Sequence, residues 1–355
     1  MKNRYDYTGK TIFTGIDVHK KTYSVVTVCD GEIIKRDTMP AYPDRLVAYL
    51  LKFFPGAKIK SAYEAGFSGF YLHRILLKKG IENMVVHAAS IEISSRDRVK
   101  TDKRDAAKIA VQLSTNRLKG IFVPPPEMED KRELTRYRTN LVKDRNRIAA
   151  RLKHKAHQYG LVGPDDIQTV CSQWFKQFEK KKMNPNLRYV FDALIEEWNH
   201  NKRKIKEVDN LLKIQATEDK DCETVYRSVK GVGPAASRVL ANELGNMQQF
   251  SSERALFSYT GLTPSEHSSG EHQRKGHISR QGKSILRCML VQCSWVAIRY
   301  DKNLRDQYDR IAARAGGKRA IVAIARRLIG RIRSCFRQGV LYNNQPLEDA
   351  KRHVA

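Results

Sequence analysis

Three consecutive prolines at positions 124–126 divide the sequence into two regions of different pattern. Proline lacks a backbone N–H and has a fixed φ, so neither a strand nor a helix is expected to run through this segment. Short apolar runs alternate with helical patterns before it, and long polar helical patterns follow it. The prolines therefore predict the end of one domain and the start of a stiff linker.

The region before the prolines has the pattern of a mixed sheet covered by helices. Its β-rich runs are TIFTGIDV (11–18), TYSVVTVCD (22–30), GEIIKRD (31–37), KIKSAYEA (58–65) and NMVVHAAS (83–90). The Asp30-Gly31 pair predicts a hairpin, and helical patterns lie near 43–54 and 69–80. We therefore predict an α/β domain over residues 8–123.

Two long helical patterns after the prolines predict an antiparallel coiled-coil arm. They cover residues 127–158 and about 187–214, with apolar residues at near-heptad spacing. The basic face of the arm is open to two interpretations, a solvated surface or a track for phosphates. Linker and arm together are predicted over 124–218, and a mostly helical domain over 219–345. The expected fold class is thus α/β followed by all-α.

The charge balance favours a polyanionic partner. The chain has 66 Lys and Arg against 38 Asp and Glu, a formal net charge of +28, and nucleic acid is the polyanion that best explains such an excess. No apolar run approaches the roughly 18 to 20 residues that span a bilayer, and the polar start lacks the pattern of a signal peptide. We expect a soluble, cytoplasmic protein without a membrane partner. Six scattered cysteines without a C-x-x-C pair predict neither disulfides nor zinc.

Four carboxylates occur where predicted elements begin or end. Asp17 ends the first strand, Glu64 closes a later one, and Asp102 and Asp105 lie three apart on a helix that begins near Thr101. Carboxylate oxygens suit Mg²⁺, and paired ions can stabilise both oxygens of a phosphodiester displacement. Each acid alone could equally close a turn, cap a helix or form a surface ion pair.

The same first hairpin, GIDVHK, is also similar to the first phosphate loop of actin-like ATPases and sugar kinases. That alternative requires a second glycine-rich phosphate loop and an adenosine pocket, and neither pattern is found later in the sequence. It also leaves the net charge unexplained.

A basic, glycine-spaced segment follows at residues 261–287. Glycines at 270, 276 and 282 alternate with cations, namely Arg274, Lys275, Arg280, Lys283 and Arg287. Such a loop can bring amides and cations to a phosphate and hold a hydroxyl that attacks phosphorus. Ser269 is the candidate nucleophile and Ser268 the alternative. From spacing alone, a serine that contacts phosphate or forms a turn explains the segment as well.

Upstream, VKGVGP is similar to the hairpin of helix-hairpin-helix modules, in which glycine amides and a helix N-terminus meet a DNA backbone. Lys230, Gly231 and Gly233 are therefore candidate nucleic-acid contacts. Tight packing of two helices explains both glycines equally well.

Together and in this order, these motifs resemble those of the bridge-RNA-guided DEDD recombinases encoded by bacterial insertion sequences. The resemblance covers about residues 11–340 and implies a RuvC-like, ribonuclease-H-fold domain followed by a transposase domain. It places the family's nucleophilic serine on Ser269, five residues after Pro264. The family's acidic signature falls on Asp17, Glu64, Asp102 and Asp105.

The resemblance also implies partners and a reaction. It implies a tetramer in which an element-encoded bridge RNA pairs with donor and target DNA, and a composite site with Mg²⁺ on the carboxylates of one protomer and serine from another. Strands would be cut through a phosphoserine intermediate and rejoined without ATP. Two alternatives stay open: a RuvC-like, metal-dependent, structure-specific DNA nuclease that uses water, and a non-enzymatic nucleic-acid binder.

Overall fold

The chain forms two compact units, described in a computed structural model over residues 6–92, 101–266, 275–279 and 281–343. The units are Met1–Pro124 and Pro125–Ala355, so the boundary falls within the proline run. The further division of the second unit into an arm and a C-terminal domain stays a prediction. None of the helices in the described segments is long and apolar enough to cross a bilayer.

The first unit is built on a five-stranded sheet in the order β3-β2-β1-β4-β5. The strands are β1 (Thr11–Val18), β2 (Thr22–Cys29), β3 (Glu32–Pro40), β4 (Lys58–Glu64) and β5 (Glu82–Val86). β2 is antiparallel to β1 and β3, whereas β1, β4 and β5 are parallel. The helices are α1 (Pro43–Phe53), α2 (Tyr71–Lys78) and α3 (Asp102–Ser114). The predicted mixed α/β architecture is confirmed.

Alternation along β1 directs its side chains to two different cores. Ile12 and Ile16 are fully buried in a cluster that includes Leu46 of α1 and Leu72 of α2. The alternate position, Gly15, faces α3, and a Cβ there would lie 2.1 Å from the carbonyl oxygen of Ala106. Glycine at this position therefore lets the backbone of α3 pack directly against β1.

The second unit is mostly helical, as predicted. It contains α4 (Pro126–Gln158), α5 (Ser172–Lys176), α6 (Pro185–Glu218), α7 (Lys220–Arg227), α8 (Pro234–Leu244), α9 (Glu253–Thr260), β6 (Pro264–Glu266), β7 (Lys275–Ile278), α10 (Ser284–Ala297), α11 (Lys302–Ala315) and α12 (Gly317–Gln338). The predicted helices 127–158 and 187–214 correspond to α4 and α6. Each observed helix extends the prediction by at most four residues at either end.

α4 and α6 pack as antiparallel partners, and we call this helix pair the arm. Leu141 lies in one cluster with Ile205 and Leu212, whereas Leu152, further along α4, lies in another cluster with Phe191, earlier on α6. The end of the arm away from the C-terminal core is closed by α5, whose Trp174 is 1% exposed.

The base of the arm is attached to α8 through buried polar contacts. Arg132 of α4 donates hydrogen bonds of 3.0 Å and 2.9 Å to the carbonyl oxygens of Asn242 and Glu243. The fully buried Glu243 carboxylate accepts from Arg136 at 2.8 Å. Because an unpaired buried carboxylate costs several kcal/mol, these contacts hold the arm to the C-terminal helices.

Candidate metal centre and serine hairpin

Two of the predicted carboxylates come from adjacent parallel strands. Ile16 of β1 pairs with Tyr63 of β4, and Asp17 and Glu64 directly follow this pair. Gly15 pairs with Ala62, which packs against α3, so the alternation of the strands puts Asp17 and Glu64 on the α3 face of the sheet. β1 and β4 therefore present both acids at one edge of the sheet.

The other two acids occupy the first turn of α3. The Thr101 side chain caps this helix by accepting a 3.4 Å hydrogen bond from the backbone N–H of Arg104, and Asp102 and Asp105 follow it. Carboxylates are favoured in a first helical turn because the unpaired N–H groups carry partial positive charge. Since α3 packs on β1 at Gly15, its first turn is brought towards the end of that strand.

Asp17 and Asp102 meet around a residue that the sequence analysis overlooked, His19. Its Nε2 lies 3.1 Å from Oδ2 of Asp17 and 3.2 Å from Oδ2 of Asp102. Among the described residues, these three side chains form a group whose ligand atoms lie within 4.8 Å of one another. The sequence does contain a signal for His19, because it lies two residues after Asp17. In an extended chain, residues two apart lie on the same face.

The remaining two acids lie outside this three-residue group. Asp105 is near enough for its charge to influence Asp17, and its own carboxylate pairs with Lys108 at 3.2 Å. Glu64 is exposed at the end of β4. The structure thus brings together Asp17 and Asp102, with Asp105 nearby and Glu64 on the neighbouring strand.

The electrostatics of the group favour a cation. Burial raises the pKa of Asp17 above its usual value, and the charges of Asp102 and Asp105 add to the increase, while His19 opposes it. A carboxylate with a raised pKa is destabilised in its charged form, and a bound cation relieves that cost. The oxygen-rich donor set has the chemistry that hard divalent ions require, so the residues present fit Mg²⁺.

The sequence segment that contains the predicted nucleophile lies between two paired strands, β6 and β7, and we call it the serine hairpin. Ser268 and Ser269 lie outside the described residues, as do Arg274 and Arg280. β6 pairs with β7, and the backbone N–H of Ser279 donates to the carbonyl oxygen of Thr263 at 2.9 Å. A Cβ on Gly282 would lie 2.2 Å from the backbone nitrogen of Gly261. The two ends of the segment are therefore in direct backbone contact.

The cations at the base of this hairpin differ in their surroundings. Nη1 of Arg287 is buried and has no hydrogen-bond partner among the described residues, and it points towards Gly261. Lys283, immediately after Gly282, is exposed. The backbone of Lys275 lies in β7, and its side chain is not described. A buried guanidinium nitrogen without a partner is a site where an anion can bind.

The upstream glycine motif has a packing role at Gly231. Its φ is +111°, and a Cβ there would lie 2.7 Å from the carbonyl oxygen of Cys293. Gly233 is the N-cap residue before α8, a Cβ there would have no atom within 4 Å, and Lys230 is exposed. Packing therefore accounts for Gly231, and nucleic-acid contact by the motif stays a prediction.

Both units match families of known proteins. Residues 14–160 match the family model of DEDD transposases of the IS110 type, described as Transposase. Residues 224–309 match the model described as Transposase IS116/IS110/IS902 family. The first match includes all four acidic positions, and the second includes the serine hairpin.

Individual relatives are also named as transposases. The protein y4rJ of Sinorhizobium fredii, whose name describes a transposase, is 28% identical over 78% of this chain and 76% of its own length. The transposase for insertion sequence element IS1111A of Coxiella burnetii is 27% identical over 64% of each chain. The S. fredii protein y4qE is 29% identical over 66% of this chain, and the matched region spans only 57% of its length. The two family matches cover separate stretches of the chain and together include more than half of its 355 residues, so the chain is similar to transposases of the IS110/IS116/IS902 family over most of its length.

Proposed function

We propose that this protein is an RNA-guided DNA recombinase that transposes an insertion sequence, with a RuvC-like, ribonuclease-H-fold domain as its metal-binding unit. The observation that carries the proposal is the convergence of Asp17 and Asp102 from separate elements of a transposase-family domain. The strand order β3-β2-β1-β4-β5 with an antiparallel β2 supports the RuvC-like assignment.

In this proposal, the carboxylates of Asp17, Glu64, Asp102 and Asp105 would hold a divalent ion, Mg²⁺. When bound, the ion would polarise the scissile phosphate and stabilise charge on the departing oxygen. Asp17 and Glu64 lie at adjacent strand ends, and Asp102 and Asp105 lie in the first turn of α3.

Ser269 is the proposed nucleophile. Its oxygen forms a bond to phosphorus, the bond between phosphorus and one sugar oxygen breaks, and that oxygen leaves as a hydroxyl after taking up a proton. A hydroxyl of a different strand then attacks the phosphoserine and releases the serine, so no ATP is consumed. Neighbouring phosphates are held by cations, with Arg274, Lys275, Arg280, Lys283 and Arg287 as candidates. Nη1 of Arg287, which is buried and has no hydrogen-bond partner among the residues that the structure describes, supports this role.

The proposed partners are donor and target DNA, an element-encoded bridge RNA and further copies of the chain. The formal charge of +28 supports extensive phosphate contact. In a tetramer, the carboxylates of one protomer would act with the serine of another. Base pairing by the RNA would select the DNA sites, as in other guided systems.

A second candidate function is hydrolysis by a RuvC-like, structure-specific nuclease. It is favoured by one observation: the group of Asp17, His19 and Asp102 is assembled entirely within the first unit. In that case water replaces serine as the nucleophile, and the serine hairpin serves binding only.

Trapping of the covalent intermediate tests the proposal. The protein is incubated with element-end DNA, bridge RNA and Mg²⁺, and separated on denaturing gels. We expect a protein–DNA adduct that is lost in Ser269→Ala and in Asp17→Asn. Ser279→Ala is the matched control, because this exposed serine lies on the same hairpin and its backbone hydrogen bond survives the substitution.

The other outcomes are equally informative. If the adduct is lost in Ser268→Ala and retained in Ser269→Ala, the nucleophile is Ser268 and not Ser269. DNA cleavage without an adduct in the wild type overturns the serine mechanism in favour of the nuclease. Binding without cleavage, unchanged when all four acids are replaced, overturns both enzymatic functions.

A further inference from the structure

His19 occupies a defined place in the turn between β1 and β2. Its backbone N–H donates to the carbonyl oxygen of Thr22 at 2.9 Å, which closes the turn directly after Asp17. Its side chain is 45% exposed, so the imidazole is neither a core residue nor a fully solvated one. It contacts Asp17 from its own hairpin and Asp102 from α3 through the same nitrogen, Nε2.

A single hydrogen bond does not account for this arrangement. Nε2 carries at most one hydrogen and can direct it at only one of two carboxylate oxygens, yet it lies at 3.1 Å and 3.2 Å from both. In an octahedral site with ligands at about 2.1 Å, neighbouring ligand atoms are about 3.0 Å apart. Both separations lie close to that value, and all three atoms lie within 4.8 Å of one another, so the group is compatible with ligation of one ion.

We propose that Nε2 of His19 is a nitrogen ligand of the carboxylate centre and gives it a preference for Mn²⁺ over Mg²⁺. The inference rests on the proposed function, because it requires the centre formed by Asp17 and Asp102. An imidazole nitrogen is a softer ligand than carboxylate or water and favours transition-metal ions, whereas Mg²⁺ prefers all-oxygen sites. A centre with this nitrogen therefore distinguishes two ions that an all-carboxylate centre treats more alike.

The partner of the neighbouring Asp105 differs from His19 in its ability to bind a metal ion. Its carboxylate is paired with Lys108, whose ammonium has only donors and cannot coordinate an ion. His19 differs because a neutral imidazole offers a lone pair at the nitrogen that faces both carboxylates. His19, unlike Lys108, is thus able to join the ligand set.

Metal binding to the full-length protein tests the inference without any activity measurement. Affinities for Mn²⁺ and for Mg²⁺ are measured by calorimetry on the wild type, His19→Ala and His19→Asn. We expect His19→Ala to weaken Mn²⁺ binding about tenfold or more, with a much smaller change for Mg²⁺. Lys20→Ala, in the same turn, is the matched control and should leave both affinities unchanged.

Pulsed electron paramagnetic resonance of bound Mn²⁺ gives a direct readout. We expect a ¹⁴N coupling from a coordinated imidazole in the wild type and in Lys20→Ala, and its absence in His19→Ala. A wild-type spectrum without nitrogen coupling overturns the inference. Equal losses of Mn²⁺ and Mg²⁺ affinity in His19→Ala also overturn it, because they indicate a positioning role alone.

Asp17→Asn separates this inference from the proposed function. If the substitution abolishes binding of both ions but His19→Ala leaves the Mn²⁺ to Mg²⁺ ratio unchanged, only the role of His19 fails. If Asp17→Asn leaves both affinities unchanged, the carboxylate centre itself fails, and the inference fails with it. Circular dichroism of each variant verifies that the fold is retained.

Discussion

The candidate metal centre and the serine hairpin are assembled in opposite ways. The candidate ligand atoms of Asp17, His19 and Asp102 come from a strand, a turn and a helix that buried packing brings together. The hairpin collects its serine and its cations in one continuous segment, 261–287, whose ends meet at two glycines. A cation needs several ligands converging on one point, which requires tertiary packing. Phosphate contacts can be supplied by one basic loop with close backbone approach.

The largest expected effect is that of salt, which should weaken nucleic-acid binding far more than metal binding. Nucleic-acid affinity should fall about 10³-fold or more between 50 and 200 mM salt, because several phosphate contacts release counterions. Mn²⁺ affinity of the same protein should change less than about tenfold, since its ligands are short-range and partly buried. Fluorescence anisotropy with a labelled duplex and calorimetry with Mn²⁺ measure the two responses. A flat response of the duplex affinity would contradict the role assigned to the positive charge.

Gly15→Ala should damage the metal centre specifically. A Cβ at this position overlaps the backbone of Ala106, so α3 must move away from β1, at a cost of about 1–3 kcal/mol in the free energy of unfolding. Because α3 carries Asp102, we expect metal affinity to fall about 100-fold, measured by Mn²⁺ calorimetry. Gly66→Ala is the control, since its nearest atom is the carbonyl oxygen of Glu64 at 4.0 Å. Wild-type Mn²⁺ affinity in Gly15→Ala would show that the helix contact is unimportant for the centre.

Gly282→Ala should have a smaller effect, confined to the hairpin. The added methyl group overlaps the backbone of Gly261 and displaces the base of the loop, which should reduce covalent adduct about tenfold. Metal affinity should remain at the wild-type value, because the centre lies in the other unit. Gly163→Ala is the control in the second unit, with its nearest contact at 3.8 Å from Oδ2 of Asp166. A parallel loss of metal binding would mean that the two regions are not independent.

Local patterns were sufficient to predict most of the fold. The five strands follow from β-branched runs, and the arm follows from apolar residues at near-heptad spacing. Asp17 and Glu64 could be placed because each ends such a run. The short α5 was missed, since its Trp174 is buried through contacts with distant parts of the arm rather than through any local period.

Contacts between residues far apart in the sequence could not be predicted from one chain. His19 meets Asp102 from α3, and Arg132 contacts Asn242, 110 residues away. The close packing of α3 on Gly15 could not be predicted either, because a glycine within an apolar strand does not indicate which helix packs on it. In each case the partner is determined by the tertiary fold, about which local periodicity carries no information.

The attachment of the arm at both ends has a consequence for its length. α4 has 33 residues, which at 1.5 Å per residue corresponds to a rod of about 50 Å. A duplex rises about 3.4 Å per base pair, so this length equals roughly fifteen base-pair steps. Because Arg132 and Arg136 bind α8 at one end and the Trp174 cluster packs against the other, the end-to-end distance of the arm is nearly fixed.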